Sequence, residues 1–144
     1  MTIVGDAQAR SVDLVAAGGV RLDDGTPDRI EMRLRVPAAS RRRGHGPLDL
    51  VVTMDGISLA AGRLIWLVTT NKGWAHLRGE GWGQDLALRF PFRIDVFSAA
   101  AVHADPPDRI ALRLYAPGTD PNVDGPIHKL AGWFETGGAR IFGG

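Results

Sequence analysis

The run from Asp120 to Gly125, Asp-Pro-Asn-Val-Asp-Gly, matches the opening of a calcium loop, D-x-[DN]-x-[DN]-G. Asp120, Asn122 and Asp124 stand two residues apart and can converge their oxygens on one hard cation, while Gly125 allows the sharp turn. Ile127 falls where such loops carry an apolar residue. The twelfth position, where a bidentate glutamate belongs, is Ala131, and Glu135 is the nearest carboxylate that could substitute. The same residue types build Asx turns without any ion. The expectation is a polar connection with no cofactor, and calcium on Asp120, Asn122 and Asp124 is the alternative.

A second group sits on one short stretch. Trp74, His76 and Arg78 alternate with Ala75 and Leu77, so a period of two gives them one strand face: an aromatic, a titratable base and a cation in a row. Trp66, Trp82 and Trp133 complete the 4 tryptophans of the chain. Such a set can line a barrel cavity, offer a flat face to a sugar or a protein, or simply pack a β core. The candidate ligand-binding residues are Trp74, His76, Arg78, Trp82 and Trp133. Because Ala75 and Leu77 form the more apolar face, the row through His76 is expected to be the accessible one.

Other chemistries are poorly supplied. His45, His76, His103 and His128 lack the spacing of a zinc site. Ser11, Ser40, Ser58 and Ser98 have no G-x-S-x-G context. Gly79-Glu80-Gly81-Trp82-Gly83 imitates a phosphate loop without the Lys-Ser/Thr that completes one. Asp49, Asp55, Glu80, Asp85, Asp95 and Glu135 could supply acid–base pairs, but sequence separation names no dyad, so no catalytic residue is assigned. Arg41, Arg42 and Arg43, before Gly44-His45-Gly46, could grip phosphate, a sulfated sugar or an acidic partner, or form a solvated loop.

Composition limits the function classes. Seventeen basic and sixteen acidic residues give a net charge of +1, which excludes the large positive field of a dedicated nucleic-acid binder. The absence of cysteine excludes disulfides, thiolate metal sites, iron–sulfur clusters and cysteine nucleophiles. No apolar run approaches the ~18 residues of a membrane helix, and no membrane partner is expected. With 44% hydrophobic and 23% charged residues, the 144-residue chain reads as one folded domain over 1–144, in which residues 1–10 can be disordered. Those first residues show no signal-peptide pattern, which points to the cytoplasm if Met1 is the native start.

The elements that must position these residues are strands. Glycine (19) and proline (9) fall at short intervals, and breaks such as Gly18-Gly19, Asp55-Gly56, Asn71-Lys72-Gly73 and Gly137-Gly138 carry turn chemistry. Ile30, Met32, Leu34 and Val36 alternate with Glu31, Arg33 and Arg35, as a half-buried strand requires. Leu86, Leu88, Phe90, Phe92, Ile94 and Val96 do the same, with Pro91 predicting a bend or a sheet edge. Ile110, Leu112 and Leu114 form a third such strand, and others are expected near 12–22, 48–54, 63–69, 73–80, 128–135 and 139–142. Ser98 to Ala104 allows one helical turn. Pro27 to Leu34 is echoed by Pro107 to Leu114, either as two equivalent turn-plus-strand units or by convergence on one strand type. The fold class is all-β, an antiparallel β-sandwich or small β-barrel of about 8–10 strands.

From Gly18-Gly19 onward the order of signatures resembles the post-COAP type of β-rich extracellular accessory domain. The residues that carry the resemblance are Ala75, Gly79 and Gly81, the strand from Leu86 to Asp95, Asp108-Arg109-Ile110 with Leu112, and the closing Gly137-Gly138-Ala139-Arg140-Ile141. It implies an antiparallel β fold, a secreted setting and an accessory, non-catalytic role, and it brings no catalytic residues.

The leading expectation is therefore a non-catalytic β module acting by binding or assembly, on a protein or carbohydrate surface. A small β-barrel enzyme of the cyclase or isomerase type is the alternative. There an aromatic-lined cavity would take a small apolar ligand, with Trp74, His76 and Glu80 or Trp133 orienting it. A structural subunit that self-associates into a homo-oligomer through strand edges is the third reading.

Overall fold

A computed structural model describes residues 11–43, 46–54, 57–83, 88–105 and 107–143. The described residues form nine strands: β1 (Val12–Leu22), β2 (Pro27–Val36), β3 (Gly46–Met54), β4 (Ile57–Thr69), β5 (Trp74–Trp82), β6 (Arg89–Phe97), β7 (Arg109–Leu114), β8 (His128–Phe134) and β9 (Gly138–Gly143). A six-residue helix, α1 (Ala38–Arg43), and a 3-10 helix at Ala99–Val102 are the helical elements among them.

Each strand from β1 to β7 pairs antiparallel with the next, and β8 pairs with β1, so the ladder runs round in a circuit. Of the two expected shapes, the pairing is that of a barrel rather than two facing sheets. The interior is filled by the period-two aliphatics. Ile30, Met32, Leu34 and Val36 on β2, Phe92, Ile94 and Val96 on β6, and Ile110, Leu112 and Leu114 on β7 are all buried in one cluster. Arg33 and Arg35 are exposed and Arg113 is half-buried, as the alternation predicts. β5 contributes Ala75, Leu77, Gly79 and Gly81 inward. The register partner of Gly79 is Phe92, whose ring lies where a side chain at Gly79 would be. Gly79 thus makes room for Phe92, the largest fully buried side chain, and Gly81 makes room for Leu50 and Leu59.

The circuit closes at a narrow seam. β1 meets β8 over three residue pairs, Val20↔Phe134, Arg21↔Trp133 and Leu22↔Gly132, then changes partner to β9 from Ala17↔Gly138 onward. The change is made by a bulge: the N–H groups of Glu135 and Thr136 both donate to Gly19 O (2.9 and 3.3 Å), and Gly19 N–H donates to Thr136 Oγ1 (2.9 Å). Here the backbones come too close for side chains. A Cβ on Gly18 would strike Thr136 O, one on Gly137 would strike Ala17 O, and one on Gly132 would strike Arg21 O. Gly18 and Gly137 also take positive φ (+142° and +70°), open to glycine at low cost. The Arg21 guanidinium pairs with Glu135 across the seam and holds that carboxyl below the ordinary glutamate range, first by hydrogen bonding to it. Asp108 completes the closure. Its Oδ1 accepts from Ala99 N–H and its Oδ2 from Ala139 N–H (both 2.8 Å), while its carbonyl accepts from Phe134 N–H (3.0 Å).

Several expectations are corrected. Gly18-Gly19 lies inside β1 rather than at a turn, because the seam needs bare backbone there. The strand expected at 63–69 begins earlier, at Ile57, and β4 runs on to Thr69 with two register irregularities against β5. Pro91 does not place β6 at a sheet edge. It pairs with Glu80 of β5, and Tyr115 N–H donates to its carbonyl (2.9 Å), so the bond proline cannot give falls where the β7 ladder ends at Leu114. The Arg41–Arg43 stretch is the end of α1, not a loop. The expected turn residues Asp55-Gly56, the chain 1–10, His45, and Asp85 with Leu86 lie outside the described residues. The echoed segments share the same inward pattern on β2 and β7, but Asp28 caps only the neighbouring Arg29 N–H where Asp108 ties three elements.

The seam gives a paired prediction. Gly132→Ala forces the β1 backbone away from β8 and should lower stability by more than about 1 kcal/mol. Gly125→Ala, in an exposed loop with open space around its Cβ position, should stay within about 0.5 kcal/mol. Denaturant unfolding of both variants checks this, and equal effects would contradict it.

Candidate functional site

The polar-aromatic row of β5 lies on the outside of the barrel. Its burial alternates strictly, with Ala75, Leu77, Gly79 and Gly81 inward and Trp74, His76, Arg78, Glu80 and Trp82 half-buried outward. The parity argument therefore holds for the whole strand. His76 stands opposite Asp95 of β6, and its Nδ1 is 2.6 Å from Asp95 Oδ1. Arg93, two residues before Asp95 on the same face, donates from Nε and Nη2 to Asp95 Oδ1 (3.2 Å each). Asp95 is the most shielded of the three, with 14% of its side chain exposed against 28% for His76 and 38% for Arg93. Trp74 stacks on His76 with ring centroids 5.7 Å apart and planes within 6°, and it also touches Phe97. The Arg93 guanidinium lies 5.4 Å from the Trp66 ring centroid.

An ionised carboxylate only accepts hydrogen bonds. The His76–Asp95 contact therefore places the imidazole proton on Nδ1 and leaves the Nε2 lone pair free in the neutral ring. Trp74, His76, Arg93, Asp95, Ala111 and Arg113 line an open hollow of about 390 Å³ on this face.

The five candidate binding residues are not all brought together. Trp74 and His76 share the hollow. Arg78 is one row further along β5, where its Nη1 donates to Asn122 Oδ1 (3.1 Å). Trp133 is outward on β8, paired with Arg109 of β7. Trp82 sits at the far end of β5 beside Arg89. Glu80, which the enzyme alternative used, also faces outward, with Oε2 shielded and 3.6 Å from Arg89 Nη1. The tryptophans thus stand on the outer surface, not around an inner cavity. Asp95 was one of six candidate acid–base carboxylates with no partner named, and Arg93 was not singled out in the sequence. Their alternation with Ile94 placed them outward, but only the β5–β6 register sets them against His76.

The loop from Asp120 to Asp124 uses its side chains on itself. Asp120 Oδ1 accepts from Asn122 N–H (2.9 Å), and Asp124 Oδ2 accepts from Asp120 N–H (2.7 Å). Asn122 Oδ1 accepts from Arg78 Nη1, and Ile127 is exposed. Among the described residues no group of three or more His, Cys, Asp or Glu is placed to hold a metal ion. No described helix is long and apolar enough to cross a membrane. No family model, curated protein or solved structure matches the chain.

The His76 geometry is testable. Long-range ¹H–¹⁵N correlation should show the Nδ1–H tautomer of neutral His76, and Asp95→Asn should shift the population toward Nε2–H. A wild-type ring already in the Nε2–H form would contradict the contact.

Proposed function

We propose that this chain is a non-catalytic β module that works by binding, and that its ligand lies on the outer face of β5 to β8. The observation that carries this reading is the outward placement of Trp74, His76, Arg93 and Asp95 as a connected group around an open hollow, on a barrel whose inner face is aliphatic. Fixed rings and a held imidazole present shape and hydrogen-bonding groups with little ordering cost on binding. A carbohydrate surface suits them, since sugars offer both apolar ring faces and hydroxyl groups. The resemblance to post-COAP accessory domains implies the same kind of role and a secreted setting.

One observation favours the second reading, an enzyme. His76 is a base oriented by a carboxylate, the arrangement used for proton abstraction. In this reading the reaction takes place on the open surface, and the cavity of a cyclase-like barrel is not where the aromatic residues stand.

Retention on columns of immobilised polysaccharides, neutral and anionic, tests the binding reading. The wild type should be retarded on at least one, and Trp74→Ala and Trp133→Ala should release it. Because both side chains are outward, their folding stability should stay within about 1 kcal/mol of wild type. No retention on any column, or retention indifferent to both variants, would contradict the proposal.

A further inference from the structure

The strand registers put four cations side by side. Arg78 of β5 is opposite Arg93 of β6, Arg93 is opposite Arg113 of β7, and Arg113 is opposite Lys129 of β8. Neighbouring strands are about 4.8 Å apart, so these charges succeed one another in a straight row across the sheet. Like charges directly opposite destabilise a sheet. Arg93 is offset by Asp95 and Arg78 by the neutral Asn122, while Arg113 and Lys129 make no hydrogen bond or ion pair among the described residues. The opposite side of the barrel shows the usual solution. There Asp13, Arg35 and Asp49 succeed one another in register, acid, base, acid, and Arg35 donates to Asp13 (2.8 Å).

The next two rows complete a trough. Beside the cations run His76, Asp95, Ala111 and Ala131, and beyond them Trp74, Phe97, Arg109 and Trp133. The alanines make a low floor over β7 and β8. One wall is cationic, the other largely aromatic, and the His76–Asp95 pair stands at one end. Within these three rows five cations stand against Asp95, which leaves twelve basic and fifteen acidic residues for the rest of the chain, from totals of seventeen and sixteen. Near-neutrality overall therefore hides a segregated charge.

We propose that this trough, running across β5 to β8, binds a linear anionic polysaccharide, with its sulfate or carboxylate groups on Arg93, Arg113 and Lys129 and its ring faces against Trp74 and Trp133. This rests on the binding reading above and assigns its ligand. Two features favour a sugar over a nucleic acid. The carboxylate of Asp95 can accept hydrogen bonds from the hydroxyls that sugar rings carry, and the chain lacks the overall field that draws in a nucleic acid. Guanidinium groups suit sulfate and carboxylate through paired N–H donors.

Calorimetric titration at low salt with chondroitin sulfate as probe tests the assignment, beside neutral dextran, poly(dT) and poly-L-glutamate. Chondroitin sulfate should bind, and the double variant Arg113→Gln/Lys129→Gln should weaken it about tenfold or more and flatten the dependence of log Kd on log salt. Arg113→Lys should keep most of the binding, and Arg29→Gln, exposed on β2 across the barrel, should match wild type. The Gln double variant should melt within a few degrees of wild type, since both side chains point outward. Undiminished binding in the double variant would overturn the assignment, as would equal or tighter binding of poly(dT) or poly-L-glutamate. Binding of dextran as strong as that of chondroitin sulfate would overturn the anionic assignment and leave the binding reading standing. No binding to any polysaccharide here or on the columns would end both.

Discussion

The barrel depends on one close approach. Where β1 changes partner from β9 to β8, backbone meets backbone at Gly18, Gly132 and Gly137 with no room for a side chain. The circuit closes through three residue pairs, a bulge at Glu135–Thr136, and the ties that Arg21 and Asp108 add around it. A sheet left open there would expose the edges of β1 and β8 and uncover the aliphatic cluster. With the seam closed, inward positions are apolar all round, and polar chemistry is left to the outside.

That division sets where a ligand can meet the protein. β5 gives its small residues to the interior and its aromatic, basic and acidic residues to the surface. Phe92 packs over Gly79, its register partner, and the same β5–β6 register sets His76 against Asp95. Core packing and site geometry are thus consequences of one register. The same register carries on through β7 and β8 and aligns Arg93, Arg113 and Lys129. β9 is paired by β1 on one side, and Asp108 accepts from Ala139 N–H at its start.

Much of the fold was legible because period-two alternation reports directly on a half-buried strand. β2, β6 and β7 show it plainly, and the outward face of β5 followed from Ala75 and Leu77. Gly18-Gly19 misled because a glycine pair in sequence looks the same whether it makes a turn or a close crossing. α1 was missed because six residues carry too little periodicity to distinguish a short helix from an arginine-rich loop. Of the site, Trp74 and His76 were readable and their partners were not. Asp95 lies nineteen residues from His76, and Arg93, Arg113 and Lys129 are scattered in the chain. Only strand pairing brings them into a row, and pairing is not written in local pattern. The Asp120–Asp124 loop carries the spacing of a cation site, and its carboxylates also accept from its own backbone N–H groups.

The closed seam is the claim on which core, register and surface rows all rest. Cross-strand backbone NOEs in the isotope-labelled protein test it most directly. Val20 should show contacts to Phe134, and Leu14 should show contacts to both Leu34 and Ile141, all in a single folded species. Contacts from Leu14 to Leu34 with none from Val20 to Phe134 would mean an open sheet, and would contradict the account.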